Sequence, residues 1–330
     1  MKGDVIGGGR VLVTGAGGFI GGWLVRRLCR QGWPVRALVR QKPAYLEEGV
    51  EWFVGDLTVP KSLVGVEEGV TWVIHAAGRL GGWGVSASAL RAVNVEGGVM
   101  LLERFSKLPP RCFVHLSAGG VSGPLGRVCG DETTVNTPAT DYERCKGEAE
   151  EVMLSRAQQL GIPLVVVRPT FTYGPEDGWK WPLFRAIARR RFAFIGSGEA
   201  WIHPVHVVDV VEGILHAMFG GQNGEIYLIG GEEPVTWRYL VWTIAKAVGV
   251  TPPRVSIPLS VARGAAWCLE GVAGVVPIRP LVTRSRILMF SGGYGYSIAK
   301  ARRELGYAPV YDLERGIAEV VASYQSLGWL

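Results

Sequence analysis

The sequence predicts an α/β chain organised around a doubly wound parallel sheet, and three observations carry that prediction. Short, largely apolar and β-branched runs recur at residues 11–14, 35–39, 52–54, 72–75, 112–116 and 164–167. They lack the strict alternation of half-exposed strands and read as parallel strands buried on both faces. Between most of them lie helical stretches, notably 19–30, 90–107 and 142–160, the rhythm of strand–helix–strand crossovers. The third observation is a glycine turn at the first strand–helix junction. Sheets of this kind take ligands beyond the carboxyl ends of their strands.

The first strand runs into Gly15-Ala-Gly-Gly18-Phe-Ile-Gly21, and the chain then continues in helical style. Gly15 suits the tight turn, Gly18 a close approach of phosphate to backbone, and Gly21 close packing of helix on strand. With Phe19 and Ile20 these residues form a candidate pyrophosphate site, because free N–H groups and the helix dipole both favour an anion. The spacing is GxxGxxG. The GxGxxG form fails at Ile20, and no Gly-Lys-Ser/Thr follows to make a phosphate-cradling P-loop. The second strand ends in Val39-Arg40-Gln41-Lys42. A dinucleotide site for NAD usually has an acid there, whereas arginine suits a 2′-phosphate. NADP is therefore the expected cofactor, through Arg40 and Lys42, with NAD as the alternative.

The fifth strand, 112–116, leads into Ser117-Ala118-Gly-Gly-Val-Ser122, and the helix after it opens with Tyr142-Glu-Arg-Cys-Lys146. That spacing puts a phenol and an ammonium one turn apart on one helix face. With these residues in place, the chain resembles the extended short-chain dehydrogenase/reductase family over nearly all its length. Residues 14–21 are similar to that family's cofactor loop, Gly55-Asp56-Leu57 to its adenine-contacting turn, and His75-Ala76-Ala77-Gly78 to the end of its fourth strand. Val93-Asn94-Val95-Glu96-Gly97 matches its central helix, and Arg168-Pro169-Thr170 with Tyr173-Gly174-Pro175 the stretch after its sixth strand. His206-Val-Val-Asp209 and Lys300-Ala-Arg-Arg-Glu-Leu-Gly306 resemble its later signatures. The resemblance leans toward the dihydroflavonol-reductase and hydroxysteroid-dehydrogenase branch. It implies a Rossmann domain over 1–170 and a smaller substrate-binding lobe over 171–330, with part of 201–230 returning to the first domain. It also implies cofactor contacts at Asp56, Leu57, Ala76, Ala77, Tyr142, Lys146 and Pro169.

The implied chemistry is hydride transfer at a carbon bearing oxygen, with Ser117, Tyr142 and Lys146 as the catalytic set. A free phenol titrates near pH 10, too high for base work at neutral pH. An adjacent ammonium, and a positive nicotinamide when oxidised, are expected to lower it by stabilising phenolate, which gives Lys146 its physical reason. Lys146 also holds the nicotinamide ribose in the family. Many relatives use the second hydroxyl residue after the fifth strand, where this chain has Ala118; Ser117 is the natural candidate and Ser122 the fallback. Asn94 reads equally as a satisfied buried amide and as the family's proton-relay residue. His203 and His206 lack acidic or cysteine partners at metal-ligand spacing, so no metal is expected.

Composition bounds the rest. At 330 residues with 48% hydrophobic and 19% charged, the chain has ample length for a full core. Cys29, Cys112, Cys129, Cys145 and Cys268 show neither CxxC spacing nor an even count, which points away from a disulfide scaffold and toward the cytoplasm. The N-terminus lacks the apolar core of a signal peptide. The net charge of +6 accompanies scattered basic residues, apart from Arg189-Arg190-Arg191, and no nucleic-acid module, so no nucleic-acid partner is expected. Residues 255–276 are the most membrane-like, but Pro258, Arg263 and Glu270 interrupt them. They fall short of a transmembrane segment and read as a buried helix, with interfacial association as the alternative.

The leading expectation is an NADP-dependent reductase or dehydrogenase acting on a fairly apolar small molecule. Trp179, Trp181, Trp201, Trp237 and Trp267 in the second half motivate the apolar substrate. The alternative is a nucleotide-sugar epimerase or dehydratase with tightly held NAD, for which Arg189 to Arg191 would grip the diphosphate. A second alternative is a non-catalytic cofactor-binding or assembly subunit, kept open by Ala118. A homodimer through two long helices per subunit is common in the family; the residues themselves do not show one.

Overall fold

Seven parallel strands form the centre of the molecule, a computed structural model that describes residues 9–42, 48–276, 280 and 282–330. The N-terminal residues read above for a signal peptide lie outside the described residues. The strands are β1 (Arg10–Thr14), β2 (Val35–Val39), β3 (Val50–Val54), β4 (Val70–His75), β5 (Cys112–Leu116), β6 (Leu164–Pro169) and β7 (Ile226–Ile229). Their order across the sheet is β7-β6-β5-β4-β1-β2-β3. In register, Val13 of β1 lies opposite Ala37 of β2 on one side and Ile74 of β4 on the other. The order reverses between β1 and β4, the position where α/β sheets open a crevice for ligand.

The helices are α1 (Phe19–Arg30), α2 (87–104), α3 (Asp141–Leu160), α4 (Trp181–Ala188), α5 (Val207–Gly220), α6 (Trp237–Ala247), α7 (Leu259–Ala273), α8 (Arg284–Ser291), α9 (Ala299–Leu305) and α10 (Leu313–Ser326). Because successive strand residues face opposite sides, β1 sends Val11 and Val13 to one layer and Leu12 to the other. The first layer joins Leu24 and Leu28 of α1 to Val210 and Ile214 of α5. The second joins Leu101 and Leu102 of α2 to Met153 of α3 and Phe113 of β5. Both faces being covered, the strands needed no polar alternation. A third core, with Phe184, Trp237, Leu240, Ile244, Ile317 and Tyr324, ties α4, α6 and α10 together.

Three expectations are corrected. The third strand is not buried on both faces: among the described residues β3 is the sheet's edge, pairs only with β2, and leaves Val54 half exposed. The helix expected at 90–107 starts at Ala87, where Ser86 caps it, and a π-helical turn over Ala92–Glu96 interrupts it. Residues 255–276 do not form a buried helix. In α7 only Ala262 and Ala266 are buried, because one narrow stripe packs against Ile287, Ile195 and Val282 while most of the remaining surface is exposed among the described residues. The tryptophans do not share one environment: Trp237 is buried, Trp181 and Trp201 are half-buried, and Trp179 and Trp267 are exposed.

Candidate active site at the strand ends

The parallel sheet carries nearly every predicted site residue to one edge. Gly15 follows β1, Arg40 follows β2, Asp56 and Leu57 follow β3, Ala76 and Ala77 follow β4, Ser117 follows β5, and Pro169 ends β6. Gly15 has φ +69°, and a Cβ there would lie 2.7 Å from the Ala77 backbone nitrogen. Gly21 is needed for a different reason: its Cβ would lie 2.1 Å from the Gly15 carbonyl oxygen. The turn is closed by Gly18 N–H donating to Gly15 O over 2.8 Å. Thr14 links it sideways, its hydroxyl 2.8 Å from His75 Nδ1 and accepting from Ala77 N–H over 3.1 Å.

Gly18 caps α1 without a side-chain acceptor, and no acid stands in the helix's first turn. The leading N–H groups of Phe19, Ile20 and Gly21 therefore retain capacity for an external anion. Arg40 is exposed at the end of β2, next to Asp56, whose carboxylate Thr58 N–H and hydroxyl hold below its usual pKa, with the Arg40 charge a lesser cause. Leu57 is buried beneath α2, where a Cβ on Gly97 would meet it at 2.8 Å.

Helix α3 presents the phenol and the ammonium. Its start is fixed by a capping box in which Thr140 accepts from Glu143 N–H and the Glu143 carboxylate accepts from Thr140 N–H. Lys146 is buried and its Nζ donates to the Leu116 carbonyl over 2.5 Å, one residue before Ser117. Burial pushes Lys146 down to about 8, with the Glu150 carboxylate opposing the shift. Tyr142 is pushed up to about 12, first by burial and then by the Glu143 charge. Among the chain's own groups, desolvation of the phenolate sets the direction at Tyr142. Behind Lys146, His75 and His115 stack at 5.4 Å between ring centroids, both buried. Burial and the Lys146 charge hold both below their usual range, His75 at about 3, leaving the lysine as the cation of this cluster at neutral pH.

Ser117 is buried, donates its backbone N–H to Val167 O, and leaves its hydroxyl without a partner. The Ser122 hydroxyl is in the same condition. Ala118 begins the short 3-10 turn between them. Asn94 sits on the π-helical turn, accepting from Arg79 N–H over 2.8 Å and donating to Arg79 O over 3.0 Å. It clamps the loop after β4, where Gly81 packs against Tyr142.

One pair was not singled out from the sequence. Arg168 of β6 and Glu150 of α3 make two charge-assisted hydrogen bonds of 2.9 and 2.6 Å, both side chains 2% exposed. Glu150 lies one turn beyond Lys146, so the pair fastens the helix carrying Tyr142 and Lys146 to the sheet. An acid inside an otherwise helix-buried stripe was the available signal. The later motif residues serve packing: Asp209 accepts from Val310 and Tyr311 N–H, and His206 stacks on Tyr311 at 3.8 Å. The His203 Nε2 lies 3.0 Å from Gly231 O. Arg189 to Arg191 lie exposed at the end of α4, the helix whose Phe184 and Ile187 pack in the third core.

Residues 11–230 match the model of the NAD-dependent epimerase/dehydratase family. The chain belongs to that family. It is 31% identical, over 93% of its length and 94% of the relative's, to the 4-hydroxy-2-methyl-3-oxo-4-farnesyl-3,4-dihydroquinoline-1-oxide ketoreductase of Stigmatella aurantiaca. It is 28% identical to the 3-beta-hydroxysteroid dehydrogenase of Mycolicibacterium neoaurum, over 97% of this chain and 92% of that one. Among solved structures, gox2253 superposes with a TM-score of 0.83 at 28% identity, covering 98% of this chain and 100% of that chain. The protein is an NAD(P)-dependent oxidoreductase of the extended short-chain type. Its residues fit a dinucleotide: glycines let the turn close tightly against Ala77 and let α1 pack on it, and the α1 N-terminus has no acid to compete with a pyrophosphate.

Proposed function

We propose that this oxidoreductase transfers hydride between exchangeable NADP(H) and a ketone or secondary alcohol of a fairly apolar small molecule, with Tyr142 as the proton donor or acceptor. One observation carries the reading. Lys146, one turn from Tyr142, is tied to Leu116 O beside the unpartnered, buried Ser117 hydroxyl. A substrate oxygen placed there would satisfy a donor that the chain itself leaves unpaired, and a buried hydroxyl without a partner is otherwise costly. The names of the relatives support the substrate class, since a farnesylated quinoline and a steroid are both large, apolar and oxygenated at ring carbon.

The bound nicotinamide supplies or accepts the hydride. The residues of the chain handle the oxygen and its proton. With its pKa near 12, Tyr142 is neutral at pH 7 and holds a proton ready for a developing alkoxide. Ser117 donates a second hydrogen bond to the same oxygen, where charge grows in the transition state. Lys146 stays charged below about pH 8 and offers its remaining donors to ribose hydroxyls. Asn94 holds the loop that packs on Tyr142. Arg40 and Lys42 select NADP by pairing with the 2′-phosphate, and Gly15, Gly18, Phe19, Ile20 and Gly21 receive the pyrophosphate. Asp56, Leu57, Ala76, Ala77 and Pro169 line the rest of the groove along the strand ends.

The test is NADPH consumption with a panel of cyclic ketones and 3-oxo acyl compounds, run on the parent and on Tyr142→Phe. The parent turns over at least one of them. The variant loses roughly 10²- to 10⁴-fold in kcat while NADPH affinity stays within about threefold. A variant as active as the parent would remove Tyr142 from the chemistry.

A further inference from the structure

Helix α7 shows an unusual surface for a helix of a folded chain. Of its residues, 260, 261, 263–265, 267, 268, 271 and 272 are exposed, and Arg263 alone among these is charged. Trp267 is 72% exposed, Val261 and Val272 are more than half exposed, and Val275 just beyond is 88% exposed. At 3.6 residues per turn, Val261, Gly264, Trp267, Cys268, Gly271 and Val272 share the side opposite the buried Ala262 and Ala266. An aromatic and several valines held in water over four turns mark an interaction surface.

Basic residues outnumber acids in the stretch of sequence that carries this face. From Pro234 to Arg286 the sequence holds seven Lys and Arg and a single acid, Glu270. Glu270 is itself taken up by Arg284, which leaves it no field to offer. Lys246, Arg254 and Arg263 are exposed and form no ion pair among the described residues. A two-residue parallel ribbon pairs Phe194–Ile195 with Ser256–Ile257. It brings Arg191 and Arg254 to the same end, beside the exposed Val255. Trp242, half exposed, bonds through its indole N–H to Pro253 O on the same stretch.

We propose that α7 and the adjoining 254–257 and 272–276 segments form a docking surface for an anionic phospholipid bilayer. The helix lies in the plane of the interface, with Trp267 and the valines in the headgroup–acyl boundary and Arg254 and Arg263 against lipid phosphates. Tryptophan prefers that boundary, and an apolar helix face rimmed by cations is the pattern of interfacial rather than spanning helices. Among the described residues no helix is long and apolar enough to cross a membrane, so contact is peripheral. A second copy of the chain would meet the same uncompensated arginines and is the less complementary occupant. None of these residues belongs to the strand-end cluster, so docking stands or falls independently of the Tyr142 chemistry.

The test is flotation of the purified full chain with vesicles of phosphatidylcholine alone and of phosphatidylcholine with phosphatidylglycerol. We expect at least about a tenfold preference for the anionic vesicles, since each cation at the surface contributes roughly 1 kcal/mol, and loss of that preference at high salt. Trp267→Ser with Val275→Ser should release the protein from anionic vesicles and leave NADPH titration unchanged. Arg254→Glu with Arg263→Glu keeps the apolar face and should abolish only the preference for anionic lipid. The proposal is overturned by absence of vesicle binding, or by serine variants that float like the parent. It is equally overturned by a stable dimer in solution that the serine variants dissociate, which would make a second copy the occupant.

Discussion

Replacing Glu150 with glutamine tests how the catalytic helix is held. The substitution keeps shape and one acceptor but leaves the Arg168 guanidinium, 2% exposed, without a countercharge. Breaking a buried pair from one side typically costs about 3–5 kcal/mol, because the remaining charge stays desolvated. In a chain of 330 residues, unfolding entropy near 2 cal/mol/K per residue converts that to roughly 4–7 °C in Tm. Urea unfolding at pH 7 should show a lower midpoint with an unchanged slope. The carboxylate also holds Lys146 up against burial, so Glu150→Gln should move the lysine's titration further down in pH. Replacing both partners with apolar residues of similar volume should recover most of the loss. A cost below about 1 kcal/mol for Glu150→Gln would refute the claim that this pair is desolvated and fastens α3 to β6.

Other consequences follow from single residues. Arg40→Glu should weaken NADPH by about 10- to 100-fold, the loss of one charge-assisted contact, while NADH binding holds or improves; titration by nicotinamide fluorescence reads both, and unchanged NADPH affinity would sink the 2′-phosphate assignment. Lys146 is charged below about pH 8 and neutral above it, so NADPH affinity should fall as pH rises through and beyond that value. Lys146→Met should give a weaker and flat profile over the same range. Gly21→Ala places a Cβ 2.1 Å from the Gly15 carbonyl; it should lose NADPH binding before it loses the fold, with circular dichroism separating the two.

The strands and the cofactor turn were legible in the sequence because each rests on local chemistry. β-branched runs and a glycine with positive φ at Gly15 reveal themselves within a few residues. The residues gathered at the strand ends, from Gly15 to Pro169, follow from parallel topology once the strands are known. What was not legible depends on partners distant in sequence. Residues 50–54 look like an inner strand, since nothing local reports that, among the described residues, only β2 pairs with them. The apolar stretch at 255–276 looks like core, and only the third dimension shows that, among the described residues, its helix buries just the stripe at Ala262 and Ala266. The burial of the phenol was not legible for the same reason: spacing shows the lysine nearby but not the desolvation that raises Tyr142. The Glu150–Arg168 pair joins residues on a helix and a strand that no spacing rule connects.

The most direct test of the account is to extract nucleotide from the purified protein, identify it, and then titrate NADPH and NADH. The account predicts an empty or exchangeable site that prefers NADPH. Stoichiometric NAD that survives purification would contradict it and place the chain with enzymes that recycle an internal cofactor.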